Sequence, residues 1–224
     1  MTNTTDAPDL TYGFVLSTHC DDETLARELT AGRLVHHSSL GDIEVYRDPD
    51  NFIAMHVDDY FPTVMALGRG TAPAPGDDPA FIICNTTAMR IRDCGVLLPQ
   101  TVHIMAHPDR LAEINTDTAG VTATIDSFSD DDWTWEYGMP VMTAVGALGQ
   151  LAANPGIEPT WLVSALEDAY DNDLADFDTL VATVNDRAQA WGYGDGYGLV
   201  EHICPDLLHY ARDRPDQKRG AIDI

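Results

Sequence analysis

The N-terminal third of the chain alternates between apolar and polar positions, the period typical of β-strands. This alternation predicts a strand over residues 12–16. Residues 21–31 instead predict a short helix, because acidic residues occupy the first turn and Gly32 follows as a stop. Two more strand-like runs flank the turn sequence Asp-Pro-Asp-Asn, so a hairpin is predicted at about 42–57.

The middle of the chain continues the strand pattern. A loop rich in Gly and Pro occupies residues 70–79 and precedes a buried strand that begins at Phe81. A short helix is predicted from Pro108 to about Ile114. Strands are predicted at 81–84, 88–92, 96–98, 101–107 and 121–128, the last of which should close the sheet.

The second half of the chain changes to a helical period. Predicted helices cover 133–153 with a bend at Pro140, a segment that opens at Pro159, 173–191, and 199–212 with a kink near Pro205. The glycine-rich run 192–198 is predicted to be a loop. The pattern as a whole predicts an α+β fold, in which a strand-rich N-terminal sheet is followed by a helical C-terminal section.

This change of period also predicts the domain organisation. We expect a β-rich part at 1–130, a helical part at 131–212 packed on it, and a C-terminal arm at 213–224. A single domain spanning 10–212 is the alternative, since a chain of 224 residues is long enough for one large domain or two small ones.

The amino-acid composition indicates the solvent conditions to which the protein is adapted. The chain has 37 acidic residues against 12 basic ones, a formal charge of −25, and Lys218 is its one lysine. Such a surface repels itself at low ionic strength, and the repulsion is largely screened near 1 M salt, where the Debye length is about 3 Å. The charge therefore predicts a protein of an extreme halophile, a halophilic archaeon or an archaeal virus, and disfavours nucleic acid as the main partner.

Location follows from what the sequence does not contain. We expect no signal peptide and no membrane span, since the longest uncharged run, 137–157, is interrupted by Pro140 and Pro155. The four cysteines are far apart in sequence and form no Cys-x-x-Cys pair, which predicts free thiols. These features predict a cytoplasmic protein, or a virion protein if the source is viral.

One short motif could carry chemistry. The run His19-Cys20-Asp21-Asp22-Glu23 follows a predicted strand and opens a predicted helix. It resembles the His-Pro-Asp-Asp-Glu motif of the N-acetylglucosaminyl deacetylase family, with Cys20 in place of the proline. The resemblance implies that His19 and Asp22 hold zinc, that Asp21 is the general base, and that metal-activated water attacks an amide. The alternative interpretation is a helix start with acidic residues in its first turn.

A second set of potential ligands lies near the C-terminus. His202, Asp206 and His209 are spaced i, i+4, i+7 and would share one face of a continuous helix. Two histidines and one carboxylate can bind a divalent metal such as zinc.

Candidate contact residues occur in two places. Trp133, Trp135 and Tyr137 alternate after an acidic run and predict either interface anchors or ordinary core. Near the C-terminus, Ile222 and Ile224 alternate at the end of a basic, polar segment, which predicts either an arm that adds a strand to a neighbouring chain or a frayed terminus.

These features lead to two functional hypotheses. The first is a non-catalytic structural, assembly or protein-interaction protein of a halophilic system, with a virion component as its viral form. Its partners would be proteins in a homo-oligomer or a larger assembly, and it would need no cofactor or metal. The second is a divalent-metal-dependent hydrolase that uses zinc at the His19, Asp21 and Asp22 cluster.

Overall fold

The fold is α+β, with strands concentrated in the N-terminal half and helices in the C-terminal half, as predicted. The structure is a computed structural model that describes residues 10, 12–51, 55–68, 76–115 and 117–213. Of residues 56, 57, 212 and 213 it describes the backbone alone. Among the described residues, no helix has both the length and the apolar character needed to cross a membrane.

The strands are short. They are β1 (Phe14–Leu16), β2 (Val35–Leu40), β3 (Ile43–Arg47), β4 (Phe81–Ile83), β5 (Val102–Ala106), β6 (Val121–Ile125), β7 (Trp133–Glu136) and β8 (Met139–Met142).

The α-helices are likewise numbered by chain order. They are α1 (Asp22–Thr30), α2 (Met55–Leu67), α3 (Asn85–Ile91), α4 (Ala144–Ala153), α5 (Pro159–Asp171), α6 (Phe177–Thr183), α7 (Asn185–Ala190), α8 (Gly196–Ile203) and α9 (Pro205–Asp213). Short 3-10 helices occupy Ser17–His19, Pro108–Glu113 and Asp130–Asp132.

Two compact units divide the chain. Unit 1 comprises residues 1–82, 100–128 and 135–140, and unit 2 comprises 83–99, 129–134 and 141–224. The division passes through β4, β7 and β8, so the units are interleaved along the sequence.

Unit 1 contains an antiparallel sheet with the order β1-β3-β2. The β2–β3 hairpin turns at Gly41, which has a φ of +65° that glycine adopts without strain. Helix α2 packs its Phe61 against the sheet, where the ring stacks on Phe14 with centroids 6.3 Å apart. Both phenylalanines are fully buried, so this contact lies in the core of unit 1.

Helix α2 contains Pro62 in its interior, where a proline removes the backbone hydrogen bond to the carbonyl four residues earlier. That carbonyl belongs to Asp58, and its oxygen lies 3.2 Å from Nε2 of His37 on β2. Because a carbonyl can only accept, His37 is the donor through Nε2. The His37 side chain therefore donates the hydrogen bond that Pro62, which has no N–H, cannot donate to the Asp58 carbonyl.

A second sheet has the strand order β6-β5-β4-β8-β7 among the described residues. Within unit 1, β5 and β6 pair in parallel from Val102 opposite Val121 to Ala106 opposite Ile125. Within unit 2, Ile83 of β4 pairs in parallel with Val141 of β8.

Unit 2 is built mainly from closely packed helices. Thr143 is the N-cap residue of α4, and its side chain caps the helix by accepting from Gly146 N at 3.2 Å. Leu166 of α5 and Leu180 of α6 are fully buried and belong to the core of this unit. Gly196 starts α8 so close to α6 that an added Cβ would lie 2.1 Å from the Val181 carbonyl oxygen.

Two arginine side chains in unit 2 each donate hydrogen bonds to two backbone carbonyl oxygens. Arg92 donates to the carbonyl oxygens of Met142 at 2.7 Å and Val141 at 3.1 Å. Arg187 donates to the carbonyl oxygens of Ala152 at 2.5 Å and Asn154 at 2.7 Å, at the C-terminus of α4. Carbonyls at a helix C-terminus lack intrahelical partners, so Arg187 supplies the hydrogen-bond donors that the helix itself does not provide.

Several predicted elements were wrong. The hairpin at 42–57 is incorrect, because β3 pairs with β1 and β2 while residues 55–57 begin α2. Residues 88–92 lie largely in α3 rather than in a strand, and 96–98 form no regular element. The helix predicted over 133–153 is a β7–β8 hairpin followed by α4, since Tyr137 and Gly138 both have positive φ and form a tight turn.

The C-terminal helices were largely predicted. The kink near Pro205 is a break between α8 and α9, and Cys204 lies between the two helices. Two details of this region were wrong: the segment 173–191 contains two helices, α6 and α7, and the glycine run 192–198 is a loop only to Asp195. Asp195 caps α8 by accepting from Gly198 N at 2.8 Å.

Candidate interaction surfaces

The deacetylase-like motif lies at the N-terminus of α1. Asp21 is the N-cap residue, and its Oδ1 accepts from Thr24 N at 2.9 Å. This backbone hydrogen bond lowers the pKa of the Asp21 carboxyl group below its usual range. Asp21, Asp22 and His19 are all exposed on the surface of unit 1. The geometry therefore gives Asp21 the role of a helix cap.

The second candidate metal set is split between two helices. His202 lies in α8, whereas Asp206 and His209 lie in α9 beyond the break at Cys204. All three metal-ligand candidates are exposed, and the His202 ring lies 5.1 Å from the Tyr193 ring, measured between centroids. Across the described part of the chain, no three His, Cys, Asp or Glu side chains come together in a group that could hold a metal ion.

A Ser-His-Glu cluster lies on the β2–β3 hairpin. Nε2 of His36 is 2.6 Å from Glu44 Oε2 and 3.4 Å from Ser39 Oγ, and Ser39 donates to the same Glu44 oxygen at 2.8 Å. The Ser39 hydrogen bond, and then the one from His36, lower the pKa of Glu44. In a catalytic triad the acid and the serine contact opposite ring nitrogens. Here they share Nε2, so the arrangement is a surface hydrogen-bond network.

The predicted aromatic anchors lie on the β7–β8 hairpin. Trp133 and Trp135 are half-buried on β7, and Tyr137 is 45% exposed at the turn. All three make further contacts with neighbouring groups. The other predicted interface residues, Ile222 and Ile224, lie outside the described residues together with the arm from 214 onward.

The segment between α3 and β5 presents two large apolar side chains to solvent. Val96 is 65% exposed and Leu98 is 69% exposed. Two hydrogen bonds attach this loop to α5 and its C-cap residue. Gly95 N donates to Asp168 Oδ2 at 2.7 Å, and Asn172 Nδ2, at the C-cap, donates to the Asp93 carbonyl at 3.3 Å. We refer to Val96 and Leu98, held in this way, as the apolar loop.

The buried residue Cys94 anchors the same loop to the protein interior. Its side chain is buried next to the apolar loop, and its backbone N–H donates to the Met89 carbonyl at 2.8 Å. Burial raises the pKa of the Cys94 thiol to about 12. All four cysteines are free, as predicted, and Cys20 is the one that reaches the surface. The neutral Cys94 side chain therefore acts as a small apolar anchor.

No protein-family model matches the chain, and a search of the curated proteins likewise finds no match.

The apolar loop was not predicted because Val96, Leu97 and Leu98 form a short apolar run, as in a buried strand. The signal that could have identified a loop is the pair of flanking residues, Gly95 and Pro99, which interrupt a strand on both sides. Gly95 has a φ of +76° and turns the backbone at this point.

Proposed function

We propose that this chain is a non-catalytic assembly and protein-interaction protein of an extreme halophile or its virus, with a virion component as its viral form. The observation that carries the proposal is the apolar loop: Val96 and Leu98 are about two-thirds exposed and held by hydrogen bonds to α5. Scattered exposed apolar residues are common, but a pair on an anchored loop is suited to binding a partner.

The anchoring matters because it lowers the cost of binding. A loop that is already ordered loses little conformational entropy when a partner covers it. Each of the side chains Val96 and Leu98 would contribute about 1–2 kcal/mol if its exposed area were buried.

The charge supports the same proposal. A formal charge of −25 opposes the approach of acidic partners at low salt, and screening in molar salt removes much of that barrier. Apolar contacts are not weakened by screening, so they are the contacts on which an acidic halophilic assembly can depend. The partners we propose are proteins, in a homo-oligomer or a larger assembly.

The test compares native-salt assembly of three proteins. In about 3 M KCl, light scattering after gel filtration and quantitative cross-linking to native partners would be measured for the parent chain, Val96→Ser/Leu98→Ser and Leu29→Ser. Leu29 is a surface leucine on α1 and serves as the matched control. We expect the double variant to lose at least tenfold in association while Leu29→Ser keeps it.

Two results would contradict the proposal. One is unchanged association by the double variant. The other is a stoichiometric zinc ion with hydrolytic activity, both lost in His19→Ala and Asp22→Ala, which would support the metal-dependent hydrolase instead.

A further inference from the structure

Strand β6 is the last strand at one end of the sheet order among the described residues. From Thr122 to Ile125 every residue is exposed, and Ile125 is 60% exposed. Proteins usually protect an edge strand with charges, proline or a bulge. The β6 sequence, Val-Thr-Ala-Thr-Ile, contains neither a charge nor a proline, and it pairs with β5 in an unbroken register.

The backbone direction of β6 follows from its pairing with β5. At its two ends, Gly120 O accepts from Val102 N at 2.7 Å and Asp126 N donates to Ala106 O at 3.2 Å. In a strand, the N–H and C=O of one residue point to the same side and those of the next residue to the other. The N–H and C=O groups of the even-numbered residues of β6 therefore face β5. Those of Val121, Ala123 and Ile125 face away from it.

We propose that two copies of this chain pair through β6, edge to edge and antiparallel, about a two-fold axis at Ala123. This inference rests on the proposed assembly function and names one of its contacts. In this register Ala123 faces itself and Val121 faces Ile125 of the second copy. Each facing pair exchanges two hydrogen bonds, so all three outward-facing residues are used. An axis at Thr122 or Thr124 would use fewer of them.

The sequence of β6 favours a second copy over an unrelated strand. It reads almost the same in both directions, with a β-branched residue, Thr, Ala, Thr and a β-branched residue. A two-fold contact joins the same patch on both copies, so such a palindrome places Val beside Ile and Thr beside Thr. Cross-strand pairs of these types stabilise a sheet.

The charge pattern removes the main obstacle to self-association. The chain has 37 acidic residues in 224, yet neither β5 nor β6 contains one. The nearest carboxylate after β6 is Asp126, which would face Gly120 in the proposed register. The nearest before it is Asp117, which would face Ser129. Like charges directly opposite each other destabilise a strand pair, and this register avoids them.

Two pairs of variants test the contact in the full-length chain in about 3 M KCl. Ala123→Asp sets two carboxylates opposite each other at the axis, and Ala26→Asp adds the same charge to the exposed surface of α1 as the control. We expect sedimentation to show at least a tenfold weaker dimer for Ala123→Asp and no change in association for Ala26→Asp. A cooperative melting transition would show that the Ala123→Asp chain is folded.

The second pair tests the register, in a Cys20→Ser background so that the partly exposed native thiol does not interfere. Ala123→Cys places two thiols directly opposite each other, where Cα atoms about 5.5 Å apart allow a disulfide. Thr122→Cys leaves the two thiols diagonal, at about 7–8 Å. We expect disulfide-linked dimer to form at least tenfold faster for Ala123→Cys, even if the aspartate variant fails to fold.

The inference is overturned by equal cross-linking of the two cysteine variants, by an unchanged dimer in a folded Ala123→Asp protein, or by a parent chain that stays monomeric. The proposed function survives all three results if binding to native partners still depends on Val96 and Leu98. Conversely, that function fails if the Val96→Ser/Leu98→Ser protein associates as the parent does, whatever the cysteine variants show. The two failures are therefore distinguishable.

Discussion

His37 supplies the hydrogen bond that Pro62 removes from the middle of α2. Its Nε2 lies 3.2 Å from the Asp58 carbonyl oxygen, the group that a residue other than proline at position 62 would contact through its own N–H. The contact joins β2 to α2 and explains how a 13-residue helix continues through an interior proline.

A double-mutant cycle tests this compensation. His37→Phe keeps an aromatic ring against Phe14 but removes the donor, so it should cost about 1–3 kcal/mol, the penalty of leaving a part-buried carbonyl unsatisfied. In a Pro62→Ala background the loss should be clearly smaller, because the substituted alanine has an N–H that can donate to the Asp58 carbonyl. Chemical denaturation measures all four proteins. Equal losses in the two backgrounds would show that the His37 contact does not compensate for Pro62.

Acid should remove a specific contribution from the Glu28 carboxylate. Glu28 is buried and contacts Arg33 at 2.6 and 3.0 Å and Arg27 at 3.1 Å. The Arg33 hydrogen bonds are the main cause that lowers its pKa from the ordinary 4.5 to about 2. A lowered pKa stabilises the fold above the unfolded-state value, and this stability is lost as pH falls from about 4.5 to about 2.

The difference in melting temperature between the parent chain and Glu28→Gln should therefore be largest above about pH 5 and shrink toward about pH 2. Glu23→Gln removes one charge from the exposed side of the same helix and is the control. A Glu28→Gln difference that stays constant over this range would argue against the ion pairs as its source.

Two glycines of the run 192–198 should respond differently to alanine. At Gly196 the added Cβ would lie 2.1 Å from the Val181 carbonyl oxygen, a backbone atom that cannot easily move. Overpacking of this kind costs about 1–3 kcal/mol or more. At Gly194 nothing lies within 4 Å of the added Cβ, so Gly194→Ala should change stability by no more than about 0.5 kcal/mol. Urea denaturation of both variants checks this, and similar values would contradict the close packing of α8 on α6.

Salt should stabilise the fold by screening. We expect the melting temperature to rise steeply between about 0.15 and 2 M KCl, because the −25 formal charge repels itself at low ionic strength. Sucrose at matched osmolality strengthens burial without screening and serves as the control. A flat response to KCl, or the same rise in sucrose, would remove the basis for a halophilic source.

The sequence predicted those elements whose ends are marked by local chemistry. Helix α1 has Asp21 as its cap and Gly32, with a φ of +70°, just beyond its end. Helix α5 has Pro159 in its first turn. In both cases the residues that decide the boundary are neighbours in the chain, so the fold class and these helices could be predicted.

Other elements depend on contacts distant in sequence. Helix α3 buries Thr87, Ala88, Met89 and Ile91. Because its buried residues are nearly consecutive, its sequence resembles that of a buried strand. Helix α2 contains a proline, which ordinarily breaks a helix, and its compensation by His37 lies 21 positions away from Asp58. The candidate surfaces were not predicted for a related reason: the exposure of Val96 and Ile125 depends on what packs nearby, which the sequence pattern does not reveal.

The interleaving of the two units has a consequence for synthesis on the ribosome. Unit 1 includes residues 135–140, so it cannot be completed until those residues have left the exit tunnel. By then residues 83–99, the first segment of unit 2, have already emerged and must wait for residues 141 onward before their own unit can form. Domains usually fold in order as they emerge. Here the early part of each unit is held back by the other, so the nascent chain should remain vulnerable to proteases until well over half of it has been translated.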